Sequence, residues 1–518
     1  MTSLTTRRPG GPAGRPGFAR AGFGRALRAE WTKFRTVRGW VIGMIVAALV
    51  MLLLGLATAA GGVGSCNVAG CAAPVGPGGE AVSDSFYFVH RTLAGNGSIT
   101  VRVTSLTGLI PAPPGPGSAA GMRPGLAPWA KAGIIIEQSA RQGSAYAAVM
   151  VTGSHGVRMQ YDYTQDIAGR PGGVSAASPR WLRLTRSGDT VTGAESADGG
   201  HWTPIGTATL AGLPGTVQVG LFVASPQYVQ QAGAGTTGGP TQATAAFDHA
   251  SLGGTWPSRR WAGEDVGGPG NAPPGQRGGF QRAGGRFTVT GSGDIAPAVA
   301  GLSNTIADPL IAAFAGLVVA GVVAAMFITA EYRRGLIRTT LTASPRRGQV
   351  LAAKAVVIGA VTFTAGLAAA AVVVALGQRI MRGDGVYVYP VTLLTALRVV
   401  AGTAALLAVS AVLALAIGTA VRRSVMAVTA VIVVIALPYL LAVSAVLPDS
   451  ATEWLLRVSP AAAFAIQQTM PQYPQVSNVY LPSDGFYPLA PWAGLAVLCA
   501  WAAAALGLAF FLLRRRDQ

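Results

Sequence analysis

The chain has 518 residues, of which 51% are hydrophobic and only 11% are charged, and its mean hydropathy is +0.45. A soluble protein of this length needs more charge to cover its surface, so the composition excludes an ordinary soluble protein and indicates an integral membrane protein. The net charge of +19 does not indicate nucleic acid, because most basic residues outside the middle region lie beside apolar segments, where they suit anionic lipid headgroups.

The first 39 residues are predicted to be a basic cytoplasmic tail that ends in an amphipathic helix. Residues 21–38 place Leu27, Trp31 and Phe34 on one helical face and arginines on another. This spacing is typical of a helix in the cytoplasmic membrane interface, with the tryptophan at headgroup depth. A cytoplasmic extension of the first span fits the same residues.

An apolar segment at 40–60 is long enough to cross roughly 30 Å of hydrocarbon at about 1.5 Å per residue. Residues 57–59 read Ala-Thr-Ala, which resembles a signal-peptidase site. The basic region before the segment is too long for a signal peptide, so we expect an uncleaved first transmembrane helix. Cleavage is the alternative.

Residues 61–82 are predicted to be a Gly-rich linker, and they contain two of the three cysteines. Cys66 and Cys71 could form a small disulfide, since the topology argued below puts them outside the cell, where disulfides persist. Cys499 lies in an apolar segment. The sequence has neither a CxxC pair nor a histidine cluster with metal-ligand spacing, so we expect no metal site.

Between residues 83 and 252 the hydrophobic period changes from helical to alternating. Residues 98–105, 156–162 and 216–224 alternate apolar and polar side chains, and Gly-rich turns separate such segments. Half-buried strands of this kind predict an antiparallel β-sandwich with an adequate core. Residues 253–304 are predicted to be a Gly/Pro-rich linker with one strand, at 286–297, that returns to the sheet.

Four segments of this region, which begin "WAKAGIIIEQ", "WLRLTRSGDT", "VQVGLFVAS" and "ATAAFDHASL", resemble concanavalin-like (lectin/glucanase-type) jelly-roll modules. The resemblance implies a two-sheet sandwich and favours glycan binding. The aromatic side chains that could stack on sugar rings are Trp129, Tyr146, Tyr163, Trp181 and Trp202. A place in the core is the alternative for each. No two acids have the pairing on one strand that a glycosidase needs, so catalysis is not expected here.

The remainder, 305–518, contains five further uncharged segments of spanning length, at 309–330, 355–377, 399–420, 425–447 and 489–513. With the first segment they make six predicted transmembrane helices. The fold class is therefore a polytopic α-helical membrane protein with an extracytoplasmic all-β sandwich between its first two helices.

Four basic clusters set the predicted orientation: the N-terminal tail, residues 331–354, "VRRS" at 421–424 and the C-terminal "LLRRRDQ". If the N-terminus is cytoplasmic, alternation of the six spans places all four clusters in the cytoplasm, as the positive-inside rule requires. The expected localisation is the plasma membrane, with cytoplasmic termini and the large loop outside.

The segment "AEYRRGLIRTTLTASPRRGQVLAAKA" at 330–355 carries six basic side chains and one acid between two spans. Apolar residues from Tyr332 to Leu341 share a helical face, and Ser344-Pro345 ends that helix and starts the next. This pattern predicts a short amphipathic helix on the cytoplasmic membrane surface.

The same segment is similar to the loop after the second span of bacterial ABC transporter permeases of the ABC-2 exporter type. "RAEWTKFRTVRGW" resembles the segment before their first span, and "RVSPAAAFAIQQ" the outer region between their last two spans. The resemblance implies that loop 331–350 is a coupling helix seated on a separate ATPase subunit. The docking residues that it implies are Glu331, Arg333, Arg334, Gly335, Arg338, Pro345, Arg346 and Arg347. The sandwich departs from the minimal family pattern and leaves the substrate class open.

The sequence contains no GxxxxGK[ST] phosphate loop, so we expect no ATP hydrolysis and no cofactor in this chain, with ATP and Mg bound by the partner ATPase. The other expected partners are a second permease copy or paralogue, the lipid bilayer and an extracellular glycan or amphipathic substrate. The alternative functions are a membrane-anchored glycan-binding or sensor protein without transport, and a membrane-tethered glycan hydrolase.

Overall fold

In a computed structural model of the chain, apolar helices and an antiparallel β-domain occupy separate stretches of the sequence. The structure describes residues 16–61, 74–112, 121–232, 235–267, 277–298, 305–333, 347–386, 388–444, 446–478 and 480–516. The helices are α1 (Pro16–Thr36), α2 (Arg38–Ala60), α3 (Ala313–Arg333), α4 (Arg347–Gly383), α5 (Leu393–Val421), α6 (Ser424–Val443), α7 (Asp449–Val458) and α8 (Pro491–Arg516), with 3-10 helices at Asp308–Ala312 and Pro460–Gln467.

Six of these helices are long and apolar enough to cross a membrane: α2, α3 with the 3-10 turn before it, α4, α5, α6 and α8. The six predicted segments are confirmed as apolar helices of membrane-spanning length. Helix α4 has 37 residues and extends beyond the predicted 355–377 at both ends, so that Lys354 lies within it. In α6, Ile432–Ala436 form a π-helical turn directly before Pro438, because a proline clashes with the turn preceding it and donates no hydrogen bond.

Small residues allow the spanning helices to approach closely. A Cβ added to Gly418 of α5 would lie 2.8 Å from Ile328 Cγ2 of α3, and one added to Gly402 would lie 2.2 Å from Ile466 Cγ1. In lipid, where apolar burial gives little drive for association, such close packing is the main source of helix contact. The glycines of α5 therefore fix its place at the centre of the bundle.

The β-domain has eighteen strands within the described residues. They are β1 (Val82–Asp84), β2 (Phe86–Pro111), β3 (Met122–Pro124), β4 (Lys131–Glu137), β5 (Tyr146–Thr152), β6 (Val157–Tyr161), β7 (Gln165–Ala168), β8 (Arg180–Ser187), β9 (Thr190–Ser196), β10 (Thr203–Thr209), β11 (Thr216–Ala224), β12 (Tyr228–Ala232), β13 (Gly235–Gly239), β14 (Gln242–Thr255), β15 (Ala262–Val266), β16 (Gly279–Ala283), β17 (Arg286–Gly291) and β18 (Ile295–Pro297). The three segments predicted from alternation lie in β2, β6 and β11, which confirms them as strands.

Strand β2 is 26 residues long and belongs to both layers of a sandwich. Its first part pairs with β11 and β15, and its second part pairs with β8 and β14. The chain bends between the two parts at Gly95, whose φ of +70° favours glycine. Apolar side chains from both layers, such as Val101, Leu184 and Val219, pack into one core.

A second apolar cluster covers the other face of the β15-β2-β11-β4-β5 layer. Phe88, Ile135 and Phe222 belong to it, and all three side chains are fully buried. Strands β4 and β5 are consequently buried on both faces, which explains why the residues between their polar ends are continuously small or apolar instead of alternating.

The two strands that connect the domain to the helices pair with each other. Val82 of β1 lies opposite Pro297 of β18, so the chain enters and leaves the domain side by side. The predicted end of the sandwich at residue 252 is wrong, because β14 continues to Thr255 and strands β15 and β16 follow. The predicted returning strand at 286–297 corresponds to β17 and β18. Glycine-rich composition hid the other strands, since their glycines serve turns and close strand contacts.

Candidate functional site

Helix α1 is a separate helix at one end of the bundle. Val37 is extended between α1 and α2, with φ −87° and ψ 98°, so α1 does not continue the first span. Of the three residues predicted on its apolar face, Phe34 is buried, Leu27 is half-buried and Trp31 is 47% exposed. The helix therefore turns part of this face to the bundle and leaves the tryptophan outside it.

Four charged side chains from three helices meet where α1 packs against α3 and α4. Lys354 Nζ donates to Glu30 Oε2 and to Glu331 Oε1, both at 2.6 Å. Lys33 Nζ donates to Glu30 Oε1 at 2.9 Å and lies 3.4 Å from Glu331 Oε1. The exposed fractions are 1% for Lys354, 3% for Glu30 and 12% for Glu331. We call Glu30, Lys33, Glu331 and Lys354 the charge cluster.

An aromatic group packs beside the charge cluster. Lys354 Nζ lies 4.9 Å from the ring centre of Phe327, one helical turn before Glu331. Phe34 of α1 meets the same ring at 5.9 Å, and Trp40 of α2 meets it at 5.7 Å. Four helices thus converge on Phe327. The net charge of the cluster is zero. The Lys354–Glu30 pair is almost fully buried, which strengthens it, whereas Lys33 is 40% exposed.

Further contacts bring other predicted basic clusters to the same end. The Arg422 guanidinium lies 5.1 Å from the Tyr332 ring, and Ser424 donates to Thr329 Oγ1 at 3.0 Å. Arg347, at the start of α4, donates to the carbonyl of Leu513 in α8 at 2.8 Å. The basic end, as we name it, therefore comprises α1, the adjoining ends of α3 and α4, the turn at 421–424 and the end of α8.

The predicted ATPase-docking residues have different positions. Glu331 turns inward to the lysines, Arg333 is exposed at the end of α3, and Arg347 contacts α8. Arg334, Gly335, Arg338, Pro345 and Arg346 lie outside the described residues, as do Cys66 and Cys71. The sequence did not single out Glu30, Lys33 or Lys354 as functional residues. The available signal was a lone acid in a basic tail and a lysine at the edge of an apolar span.

The β-domain contacts the opposite end of the bundle. Gln475, which is buried, donates to the Thr164 carbonyl at 3.1 Å, and Ser477 donates to the Gln227 carbonyl at 3.4 Å. A cavity at this end lies between the 3-10 turn before α3, helix α6 and residues 482–487, and carboxylates line it. Burial and the negative charge of Asp308 raise the pKa of Asp484 in this cavity.

The aromatic residues predicted to contact glycan divide into two groups. Trp129, Tyr146 and Tyr163 are buried, so the prediction of sugar stacking is wrong for these three, whose rings pack in the domain. Trp181 and Trp202 are half-buried on the outer face of β8 and at the start of β10. Arg102 lies 5.6 Å from the Trp181 ring and Arg183 lies 3.7 Å from the Trp202 ring.

Several ionisable groups of the β-domain are buried without full pairing. Asp84 accepts hydrogen bonds from Tyr163 Oη at 2.7 Å and Gly143 N at 2.8 Å, yet burial raises the pKa of Asp84 to about 6. Burial and the nearby Asp84 raise the pKa of Glu137 well above its usual value. Among the described residues, no group of three or more His, Cys, Asp or Glu side chains is arranged to hold a metal ion.

Comparison with solved structures returns matches of low similarity. A functionally unknown protein from Saccharomyces cerevisiae is 17% identical, with 34% of this chain and 77% of that chain covered and a TM-score of 0.22. A scytalido-glutamic peptidase is 9% identical, with 40% and 98% covered and a TM-score of 0.24. A GH43 protein from Bacillus licheniformis is 14% identical, with 25% and 24% covered and a TM-score of 0.17.

No curated protein matches the chain. The family model described as "ABC-2 family transporter protein" matches residues 140–518, which include five of the six apolar helices and much of the β-domain. The match covers well over half of the chain, and it agrees with the six membrane-length helices. The chain belongs to the ABC-2 family of transporter proteins.

Proposed function

We propose that the chain is the permease subunit of an ATP-driven ABC exporter, and that its loop 331–350 docks on a separate ATPase subunit. The observation that carries the proposal is the basic end. Segments from α1, α3, α4, the 421–424 turn and α8 meet there, and so do the described residues on either side of 334–346. Membership of the ABC-2 family supports the ATPase partner.

The orientation in this proposal follows from charge. The basic end faces the cytoplasm, because Lys and Arg near transmembrane helices are retained on that side. The β-domain, at the other end of the bundle, is then extracytoplasmic, and both termini are cytoplasmic. ATP and Mg bind to the partner, and a second permease copy or paralogue completes the pathway, since six helices are few for one.

Co-purification of the ATPase with tagged permease tests the docking proposal. Arg334→Glu with Arg338→Glu reverses two charges in the loop and is expected to abolish recovery of the ATPase, while the permease still inserts into the membrane. Arg379→Glu with Arg382→Glu makes the same change at the opposite end of α4, where both side chains are exposed, and is the matched control. Equal ATPase recovery with both double variants would overturn the docking assignment.

The proposed role of the β-domain is to engage glycan or cell wall through Trp181 and Trp202. Each ring has a guanidinium over it, Arg102 over Trp181 and Arg183 over Trp202, and such a pair suits a sugar that carries an anionic group. Binding of purified protein to isolated cell wall tests this role. Trp181→Ala with Trp202→Ala is expected to reduce binding, whereas Trp454→Ala, an exposed tryptophan on α7, should not. Unchanged binding in the double variant would remove this role and leave the permease proposal standing.

A further inference from the structure

We propose that the charge cluster is a lock that makes α1 and both flanks of the 334–346 segment move as one unit. The inference rests on the proposed function, because it assigns a role to residues behind the docking loop. Glu331 lies two residues before the described part of α3 ends, and Lys354 lies eight residues after 346. Lys354 joins them directly and joins both to Glu30 of α1.

The geometry leaves α1 little freedom to move independently of the flanks. Lys354 Nζ holds two carboxylate oxygens from different helices at 2.6 Å, and Lys33 Nζ approaches the same two carboxylates from α1. Phe34 and Phe327 pack beside these bonds. Displacing α1 from α3 and α4 would break the Lys354–Glu30 and Lys33–Glu331 pairs, and the buried Glu30 would keep only Lys33 of its own helix as a counter-ion.

Apolar side chains could have filled the space that the charge cluster occupies. A buried ion pair is often no more stable than apolar side chains of similar volume, so stability alone does not explain the charges. Ion pairs instead select one arrangement, because a shifted helix leaves them unpaired. Because the ion pairs favour one arrangement of the three helices, a displacement of one helix is transmitted to the others. When the ATPase shifts the 334–346 segment, α1 and the start of α4 move together, and α4 continues across the membrane.

Glu30, Lys33, Glu331 and Lys354 are positioning residues in this account. They do not contact the ATPase or the transported molecule, and they act through the docking segment. Their loss should therefore separate docking from coupling. Arg334 and Arg338 would still hold the ATPase, while its hydrolysis would no longer respond to the permease.

Lys354→Met tests the lock, and Lys354→Arg is the conservative control. In the purified complex, Lys354→Met is expected to keep the ATPase bound in normal amount but to reduce ATP hydrolysis to that of the ATPase alone. Lys354→Arg should retain the stimulated hydrolysis. The triple variant Lys354→Met, Glu30→Gln, Glu331→Gln removes the unpaired carboxylates, so it should fold even where Lys354→Met does not, and it should remain uncoupled.

A distance measurement on the full chain gives a readout that needs no ATPase. Spin labels at Arg28, exposed on α1, and Val356, exposed on α4, are placed by cysteine substitution after replacement of the native cysteines. The distribution of distances between the two labels should be narrow in the parent and in Lys354→Arg, and broad in the triple variant. A narrow distribution with full stimulated hydrolysis in the triple variant would overturn the lock. Failure of the unaltered chain to recover any ATPase would instead overturn the proposed function.

Discussion

Replacing Lys131 with methionine should loosen the point at which the chain leaves the β-domain. Lys131 is completely buried, and its Nζ donates to Asp294 Oδ1 and to the Ile295 carbonyl, both at 2.6 Å. These bonds hold β18 against β4, and β18 pairs with β1 beside it. The single lysine thus fixes the strand through which the domain is attached to the helices.

The expected loss of stability in Lys131→Met depends on the contacts that remain around Asp294. Methionine fills most of the space but leaves Asp294 nearly buried without its counter-ion, while the Ile295 amide still donates to it at 2.8 Å. Removing one partner of a buried ion pair costs about 3–5 kcal/mol. Because Asp294 keeps one amide hydrogen bond and is slightly exposed, we expect a cost of about 3 kcal/mol. With a urea dependence of about 2 kcal/mol/M, the unfolding midpoint should fall by about 1.5 M.

Urea unfolding of the full chain in detergent, followed by tryptophan fluorescence, measures this change. Trp129 lies two residues from Lys131, is buried and stacks on His155 at 3.9 Å, so it reports local unfolding. Arg123→Met removes an exposed cation from the same domain and should change stability by less than about 0.5 kcal/mol. Lys131→Met with Asp294→Asn should recover much of the loss. A midpoint within about 0.3 M of the parent for Lys131→Met would refute the reasoning.

Four further substitutions test buried side chains of the β-domain and close packing between helices. Burial raises the pKa of Asp84 from 3.8 to about 6, so its ionisation lowers the stability of the fold as pH rises between these values, by about 3 kcal/mol in total. Asp84→Asn should remove this part of the pH dependence of the unfolding midpoint. Tyr146→Phe should be neutral or stabilising, since the Tyr146 hydroxyl is buried without a partner. Tyr163→Phe should lower stability by about 1–3 kcal/mol, because it removes the hydrogen bond to Asp84. Equal unfolding midpoints for the two variants would contradict this contrast. Gly494→Val should prevent stable folding, measured by size-exclusion chromatography, because its Cβ would lie 2.1 Å from the Ala462 carbonyl oxygen.

Sequence predicts those parts of the fold that depend on residues close together in the chain. Uncharged segments of spanning length and period-two alternation depend only on neighbouring residues, so six helices and strands such as β6 and β11 could be predicted. Strands β15 and β16 could not be predicted, because their glycines and those beside them resemble the glycines of a linker. In the structure, Gly284 and Gly285 have positive φ and form the turn between β16 and β17.

The candidate site was predicted only in part, because its key contacts are remote in sequence. Glu30 and Lys354 are 324 residues apart, and no local pattern pairs them. Glu331 was expected to face a partner because it lies in a basic loop, yet its carboxylate is paired within the chain. A lone acid among arginines is ambiguous between an exposed and a buried role until the neighbouring helices are known.

The central claim, that an ATPase subunit docks on the 331–350 loop, is tested most directly by a photo-crosslinking amino acid at position 338 of the full chain in intact membranes. The account predicts one prominent adduct, with a protein that carries an ATP-binding phosphate loop. It also predicts no such adduct from the same group at position 382, at the other end of α4. An ATPase adduct from position 382, or adducts from position 338 with lipid alone, would contradict the claim.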